Sequence, residues 1–298
     1  MLTPQFTTKK LAQTLVLNQE LYIKREDLHP LGSHKGRSIP IMIDKYAKQG
    51  TADFVISSSG NAALAAARVV KEYNKKNNKE KLTLTIFVGK NINPEKYAEI
   101  LNCTQDDIKK NISLHKLDNP RQSAFLVDQN GDAKLLRQST DDSALVGYEA
   151  LAAELSTIRN LSAIFIPTSS GTTAQGLYKG FKQLKKNPQI HIVQTDYCHT
   201  LCGEDNLLEI IKPPTSVADA IVDNVGHRKQ KVSEIIKNSG GQNWIATNNE
   251  IIKAIEEVKA NTGLEISPNS ALSIVGLTQA LKENWKFDGP VVCIFTGK

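Results

Sequence analysis

Short apolar runs alternate along this chain with longer stretches in which apolar residues recur every three or four positions. The apolar runs, several of them rich in β-branched residues, predict buried strands, and the amphipathic or alanine-rich stretches predict helices. Strands are predicted at residues 53–57, 82–88, 112–117, 163–167, 190–196 and within 290–298. Helices are predicted at residues 61–74, 93–102, 141–155, 174–185, 250–261 and 270–284.

Repeated strand–helix units are typical of a mainly parallel sheet with helices packed on both of its faces. The sequence therefore predicts an α/β fold. In such sheets ligands bind at the carboxyl ends of the strands, so functional residues are expected in the loops that directly follow the strands. A change in composition near residues 128–132 is the one position that suggests a boundary within the chain.

Charge and composition restrict the classes of partner. The 298 residues include 37 basic and 31 acidic side chains, for a formal net charge of +6. The basic residues are scattered, and even the dense run at 71–81 contains two glutamates, so small phosphorylated or carboxylate-bearing molecules are favoured over nucleic acid.

The sequence lacks an apolar stretch of the roughly 20 residues that a membrane span needs, and the first residues do not resemble a secretory signal. Four cysteines in a chain of this length do not predict a disulfide framework, so we expect a cytoplasmic protein.

A lysine in a glycine- and serine-rich setting marks the first segment with candidate chemistry, KREDLHPLGSHKGR at 24–37. Lys35 follows a turn containing Pro30 and Gly32 and precedes Gly36, so it could be presented at the start of a helix. There the helix dipole and the nearby Arg37 would favour a neutral amine, the form that attacks a carbonyl group. The alternative is a charged surface loop.

Two further segments have the pattern of a strand followed by a polar loop and a helix. In ISSSGNAALAAA at 56–67, four consecutive capping-type residues exceed the one that a helix start needs, which favours binding of an anion such as a substrate carboxylate. In IPTSSGTTAQGL at 166–177, a Ser/Gly/Thr loop precedes a helix, a pattern that can hold a phosphate through amides and hydroxyls. That loop matches neither a dinucleotide-binding motif nor a P-loop. A fourth candidate, Thr296, directly follows the last predicted strand.

In this order and over nearly the whole chain, these segments resemble the tryptophan synthase β group (fold type II) of pyridoxal 5'-phosphate (PLP) enzymes. That group includes threonine synthase, threonine dehydratase and cysteine synthase. Ser33, Lys35 and Arg37 match its S-x-K-x-R segment, so the resemblance implies that Lys35 binds the cofactor covalently. It further implies substrate-carboxylate binding by Ser58, Ser59 and Gly60, and contact of Asn61 with the ring hydroxyl of the cofactor. The residues matched to the cofactor-phosphate loop are Ser169, Ser170, Gly171, Thr172 and Thr173, and Thr296 matches the hydroxyl residue that faces the pyridine nitrogen.

The resemblance also implies an architecture. We expect two doubly wound, mainly parallel-sheet domains with the cofactor between them. Residues 1–37 and 145–298 are expected to form a large cofactor-binding domain, and residues 38–144 a smaller substrate-side domain. A homodimer is expected on the same ground.

The implied reaction is PLP-dependent β/γ-elimination or replacement on a small amino acid. In it, the substrate amine displaces Lys35, which then acts as a base on the α-carbon. A neutral hydroxyl at Thr296 cannot keep the pyridine nitrogen protonated, which suits elimination and replacement better than transamination.

Within the group, Thr296 ahead of Gly297 and EISPNSALSIVGL at 265–277 resemble threonine synthase, which converts O-phosphohomoserine to threonine. At the position of Ala62, cysteine synthase tends to have a threonine. Threonine dehydratase tends to have a histidine there. Serine/threonine dehydratase and cysteine synthase-type β-replacement are the alternative reactions. A non-catalytic small-molecule-binding homologue is the alternative of another class, although such a protein would typically lose the lysine or the phosphate loop.

Cys198, His199 and Cys202 have a spacing that could begin a metal site, but no second pair follows them in the sequence. We therefore expect a loop with incidental thiols and no bound metal. His227 and Arg228 lie in a polar stretch and could meet a substrate phosphate.

Overall fold

The computed structural model of the chain describes residues 2–77, 80–105, 111–202 and 215–297. Within these residues the α-helices, numbered α1 to α10 in chain order, are Lys9–Thr14, Ile39–Lys48, Asn61–Lys76, Pro94–Thr104, Pro120–Gln129, Ser143–Leu155, Thr172–Gln183, Lys229–Ser239, Asn248–Thr262 and Pro268–Lys282. The strands, numbered β1 to β10, are Gln5–Thr7, Leu21–Arg25, Asp53–Ser57, Thr83–Gly89, Ile112–Leu117, Lys134–Leu135, Ala163–Pro167, Gln189–Thr195, Asn243–Ala246 and Val291–Phe295. None of the described helices is long and apolar enough to cross a bilayer.

Contacts between Cα atoms divide the chain into two compact units. The larger unit consists of Met1–His29 and Leu145–Lys298, and the smaller unit is Pro30–Ala144. Residues 30–37, which the sequence analysis assigned to the large domain, fall in the smaller unit. The suggested boundary at 128–132 lies inside the smaller unit, at the end of α5 and in the turn that leads to β6. The functional division into a cofactor domain and a substrate domain stays a prediction.

Among its described residues, the larger unit forms a sheet with the strand order β1-β2-β10-β7-β8-β9. Only β1 runs antiparallel to its neighbour, and the other pairs are parallel. Along β7, Ile164 and Ile166 pack with α6 and α7, whereas Ala163 and Phe165 pack in a second cluster with α9 and α10. This alternation places helices on both faces of the sheet.

The smaller unit has a parallel sheet with the order β5-β4-β3-β6. Its core joins residues of α2 and α3 to the apolar side chains of β3 and β4. The predicted α/β class with mainly parallel sheets is therefore confirmed. Five of the predicted helices begin one or two residues away from the predicted start, among them α6 and α7. Helix α7 starts at Thr172, two residues early, while α6 starts only at Ser143 because the Asp141 carboxylate accepts the backbone N–H of Ser143 at 2.9 Å and so lies outside the helix.

A buried aromatic cluster fixes the protonation state of His191 in β8. The ring stacks on Phe165 at a centroid distance of 4.4 Å, accepts the indole N–H of Trp244 at Nδ1 (3.1 Å), and donates from Nε2 to Gln189 Oε1 at 3.0 Å. Burial lowers the pKa of His191 to about 3. The Nδ1 atom is already used as an acceptor, so the histidine is neutral and serves packing.

We predict that His191 makes the larger unit less stable in acid. The unfolded chain binds a proton below pH 6.5 while the folded histidine, with a pKa of about 3, does not, so stability falls as the pH drops through this window. The loss between pH 7 and pH 5 is expected to be about 2 kcal/mol. Urea unfolding followed by the fluorescence of Trp244 and Trp285 measures it, because both tryptophans lie beside His191.

A His191→Gln variant should lose this part of the pH dependence whatever its stability at pH 7. His115→Gln, at an exposed position of β5, should keep it. Equal pH dependence in wild type and His191→Gln would contradict the assignment.

Candidate active site

The polar loop after β7 leads directly into α7 and leaves its helix start without a capping side chain. Gly171 is the N-cap residue and has a left-handed backbone (φ +83°), so the cap has no side chain of its own. Ser170 and Thr172 share a hydrogen bond between their hydroxyls at 2.9 Å, and Thr172 and Thr173 are buried. Because Thr172 and Thr173 begin the helix, their amides and hydroxyls belong to its first turn. This is a donor set suited to a phosphate group.

Ser169 anchors the loop to a distant part of the chain. Its Oγ accepts the backbone N–H groups of Val222 (3.1 Å) and Asp223 (3.2 Å), which leaves its own hydroxyl proton available to a ligand. Its carbonyl oxygen accepts a hydrogen bond at 3.2 Å from Gln194, a fully buried residue of β8. Gln194 Oε1 in turn accepts the N–H of Leu201 at 2.8 Å. The loop is therefore held from two sides before any ligand binds.

Gly171 occupies a position where no side chain fits. A Cβ atom built there would lie 2.5 Å from Val232 Cγ2, 3.3 Å from Leu201 Cδ1 and 3.5 Å from Arg228 Cβ. Together with the left-handed backbone, this close packing explains why glycine is required between Ser170 and Thr172.

Gly171→Ala is predicted to lower both stability and cofactor affinity. The left-handed backbone costs about 1 kcal/mol for alanine, and the contact with Val232 adds about 1–3 kcal/mol of overpacking. Gly240→Ala is the matched control, because Gly240 is also left-handed (φ +70°) but has no atom within 4 Å of the added Cβ. Denaturant unfolding and a PLP titration of both variants measure the difference, and equal losses in the two would contradict the crowding at Gly171.

Thr296 lies at the same edge of the same sheet. It follows β10, which pairs in parallel with β7, so Thr296 and the loop at 168–171 both follow the carboxyl ends of neighbouring strands. Thr296 is buried, and the hydroxyl of Ser270 in α10 donates to the carbonyl oxygen of Gly297 at 3.0 Å. The two cofactor-contacting segments that the sequence predicted for this unit are therefore brought to one sheet edge.

Lys35 lies in the smaller unit on a single 3-10 turn, His34–Arg37, just before α2. The sequence analysis expected Lys35 at the start of a helix. In the structure it lies on this turn, before the first residue of α2. Its backbone is fixed at both ends: the Ser33 hydroxyl accepts the Lys35 N–H at 3.2 Å, and the Ser38 hydroxyl donates to the Lys35 carbonyl at 3.2 Å. This rigid turn packs against α3. The backbone that carries the lysine is therefore preorganised.

The segment 58–61 follows β3 in the same unit. Gly60 is the N-cap of the 16-residue helix α3 and carries no capping side chain, and Asn61 is the first residue of the helix. The Ser58 hydroxyl accepts the Gly60 N–H at 3.3 Å, while Ser59 is exposed. A Cβ at Gly60 would have no atom within 4 Å, so there is open space over this helix start.

The predicted site residues therefore form two groups. Lys35 and residues 58–61 belong to the smaller unit, and residues 169–173 with Thr296 belong to the larger one. Within each unit the residues follow the carboxyl ends of parallel strands or pack against the helix that begins there.

The three candidate metal ligands contact separate groups. The Cys198 thiol donates to Asn224 Oδ1 at 3.3 Å, and His199 Nδ1 lies 3.1 Å from the carbonyl oxygen of Thr195. Burial raises the pKa of Cys202 to about 12, so this thiol stays protonated. In the part of the chain that the structure describes, no three His, Cys, Asp or Glu residues are grouped to hold a metal ion.

A polar cavity of about 320 Å³ lies elsewhere in the smaller unit. Its lining combines residues of α2, α5, β6 and the segment before α6: Tyr46, Asp128, Lys134, Leu135, Arg137, Thr140, Asp141 and Asp142. Burial and a 2.7 Å hydrogen bond to Asp141 raise the pKa of Tyr46 to about 12, so its phenol stays neutral. No residue predicted for the active site lines this cavity.

Comparison with known proteins defines the class. Residues 2–297 match the family described as "Pyridoxal-phosphate dependent enzyme". The chain therefore belongs to this family of PLP-dependent enzymes, as the sequence motifs predicted.

Individual relatives are similar at low identity. The chain is 25% identical to threonine synthase of Methanocaldococcus jannaschii over 99% of its own length and 74% of that protein. It is 39% identical to human L-serine dehydratase/L-threonine deaminase, but over only 21% of its own length and 19% of that protein. Among solved structures, a PLP-dependent aspartate racemase superposes with a TM-score of 0.81 at 19% identity, covering 99% of this chain and 89% of the racemase. The processed threonine deaminase isoform 2 of Solanum lycopersicum superposes with a TM-score of 0.78 at 19% identity, covering 99% and 78%. These structures confirm the tryptophan synthase β-like fold.

The residues of the larger unit fit the cofactor of this family. PLP carries a phosphate, and the loop at 168–173 offers hydroxyls and an uncapped helix start. The left-handed backbone of Gly171 and its close packing against Val232 fix the backbone of this helix start.

Two residues beside the loop were not recognised from the sequence as supporting it. Gln194 interrupts the apolar pattern of β8, and a buried amide within a strand is the signal that could have identified it. The sequence analysis considered Arg228 only as a ligand of a substrate phosphate. In the structure Arg228 is buried, and its Cβ lies 3.5 Å from the position that a Cβ of Gly171 would occupy. The neighbouring His227 is exposed. Arg228 is 57 positions away from Gly171 in the sequence, so local patterns could not show that the two residues are close.

Proposed function

We propose that this chain is a lyase or transferase that eliminates or replaces a β or γ substituent of a small amino acid, with O-phosphohomoserine as substrate and threonine as product. The observation that carries the proposal is the similarity to threonine synthases along 99% of the chain, in Methanocaldococcus jannaschii and also in Methanosarcina acetivorans. The reaction converts O-phosphohomoserine and water to threonine and phosphate.

Bound PLP supplies an electron sink for charge that develops at the substrate α-carbon. Lys35 would hold the cofactor covalently, and its amine would move a proton at the substrate α-carbon. The fixed backbone of its turn limits the positions from which the amine reaches this carbon.

The serine-rich segment and the helix start at 58–60 bind the substrate carboxylate, and Asn61 orients the cofactor ring. Residues 169–173 bind the cofactor phosphate. Thr296 offers a neutral hydroxyl to the ring nitrogen, which favours elimination and replacement.

A dehydratase is the second candidate. A threonine dehydratase of Pasteurella multocida is 23% identical over 95% of this chain, although the match covers 53% of that protein. Such an enzyme would convert threonine to 2-oxobutanoate and ammonia with the same Lys35 and carboxylate site.

A product assay on the purified holoenzyme separates these reactions. We expect O-phosphohomoserine to yield threonine and phosphate in equal amounts. Release of 2-oxobutanoate from L-threonine would replace the proposal with the dehydratase, and cysteine formed from O-acetylserine and sulfide would replace it with β-replacement. Inversion of an amino acid without loss of a substituent would contradict all three.

A further inference from the structure

Residues 215–224 of the larger unit form neither a helix nor a strand, and we name this segment the strap. Two of its side chains, Ala218 and Ile221, are buried in the core that includes residues of α9 and α10. Outside regular structure, backbone amides need other acceptors, and several amides of the strap donate to side chains. Those side chains therefore decide how firmly the strap is held.

The first half of the strap is held by the starts of two helices. The Oδ1 atom of Asn248, the first residue of α9, accepts the N–H of Val217 at 3.0 Å. The Oδ1 atom of Asn269, the second residue of α10, accepts the N–H of Ala220 at 3.0 Å. This half is thus fixed to long helices and not to the phosphate loop.

The second half of the strap is held by residues that follow β7 and β8. Ser169, two residues after the end of β7, accepts at Oγ the N–H groups of Val222 at 3.1 Å and Asp223 at 3.2 Å. The hydroxyl of Thr200, which follows β8, donates to the carbonyl oxygen of Asp223 at 2.7 Å. Two successive amides of the strap therefore depend on one oxygen atom of the phosphate loop.

These two hydrogen bonds restrict what Ser169 can do for a ligand. A hydroxyl has two acceptor positions and one proton, and the amides of Val222 and Asp223 occupy both acceptor positions. Ser169 can then only donate, which suits a phosphate oxygen. Donation to an anion gives a strong hydrogen bond, and it polarises the hydroxyl so that its oxygen becomes a better acceptor for the two amides.

We propose that Ser169 is a positioning residue that relays binding of the cofactor 5'-phosphate to the strap, so that the phosphate stabilises the strap beside the carboxyl ends of β7, β8 and β9. This inference rests on the proposed phosphate-binding role of residues 169–173, but on no choice of amino-acid substrate. It assigns to the phosphate a structural effect in addition to its part in cofactor affinity.

The test measures amide hydrogen exchange of the full chain by mass spectrometry with fragmentation that resolves single residues. Apoprotein prepared with hydroxylamine is saturated with PLP or with pyridoxal, which has the same ring without the phosphate. We expect exchange at Val222 and Asp223 to be about three- to tenfold slower in the PLP form than in the pyridoxal form. The amides of Val217 and Ala220 have other acceptors and should differ by less than about twofold.

Two variants separate the relay from general ordering of the strap. Ser169→Ala removes the shared acceptor, so the difference between the PLP and pyridoxal forms at Val222 and Asp223 should disappear. Asn248→Ala releases the first half of the same strap without touching the phosphate loop. It should speed exchange at Val217 in both forms and keep the difference at Val222 and Asp223.

Equal exchange at Val222 and Asp223 in the PLP and pyridoxal forms of the wild type would overturn the proposal, as would an undiminished difference in Ser169→Ala. If Ser169→Ala does not fold, Ser169→Cys provides the decision. Its thiol is a weak donor and a weak acceptor, so the difference should shrink, and a difference equal to that of wild type would overturn the proposal.

These measurements contain no amino-acid substrate, so failure of the threonine synthase assignment leaves their outcome unchanged. Failure of the phosphate-loop assignment has a separate signature, since wild-type apoprotein would then bind PLP and pyridoxal with equal dissociation constants in absorption titrations. Tighter binding of PLP with no difference in exchange at Val222 and Asp223 would overturn the relay alone.

Discussion

Lys35→Ala is expected to lower kcat by about 10² to 10⁴-fold and to remove covalent attachment of the cofactor. The lysine is assigned both the bond to PLP and the proton transfer at the substrate α-carbon, and alanine can perform neither. The phosphate loop and Thr296 lie in the other unit and are unchanged by the substitution. The variant should therefore still bind PLP reversibly. Steady-state kinetics and borohydride reduction followed by mass spectrometry measure the two losses.

Lys48→Ala is the matched control for this substitution. Lys48 lies in α2 in the same unit, is 75% exposed and pairs with Asp44 at 2.7 Å. We expect its activity and cofactor attachment to equal those of wild type. Normal turnover by Lys35→Ala would refute the catalytic assignment.

Lys24→Met is expected to destabilise the larger unit by about 3–5 kcal/mol, because it leaves a buried carboxylate without its cation. Lys24 Nζ lies 2.6 Å from Glu154 Oε2, and their side chains are only 1% and 9% exposed. The same ammonium donates to the carbonyl oxygen of Thr3 at 2.8 Å, so the substitution also removes one contact of the N-terminal segment. Urea unfolding followed by tryptophan fluorescence measures the loss.

The double variant Lys24→Met with Glu154→Leu tests the cause. Removing both charges is expected to restore most of the stability, since an apolar pair of similar volume can replace a buried ion pair. Lys231→Met breaks an exposed pair with Glu234 in the same unit and should cost less than about 1 kcal/mol. A double variant no more stable than Lys24→Met would contradict the electrostatic explanation.

Local patterns were sufficient to predict the central strands and the helices that follow them. Strand β3 and strand β7 have the predicted bounds, and Asn93 caps α4 with Pro94 at its start, as the sequence indicated. These elements combine buried apolar residues with local capping signals, so neighbouring residues determine them. The polar loops after β3 and β7 were located for the same reason, because they interrupt a strand–helix pattern.

Features that depend on distant partners were not predicted. Strand β2 was missed because it contains Lys24, whose charge is neutralised by Glu154, 130 positions away. The burial of Arg228 beside Gly171 likewise depends on the packing of α8 against α7. Strand β6, at two residues, is too short for any periodicity to appear.

The most direct test of the central claim is to locate the cofactor on the chain. Purified holoenzyme is reduced with borohydride, digested, and searched by mass spectrometry for the pyridoxyl-modified peptide. We predict a yellow protein whose modified peptide contains Lys35 and whose other lysines are unmodified. Modification of a different lysine, or a colourless protein that PLP does not reconstitute, would contradict the account.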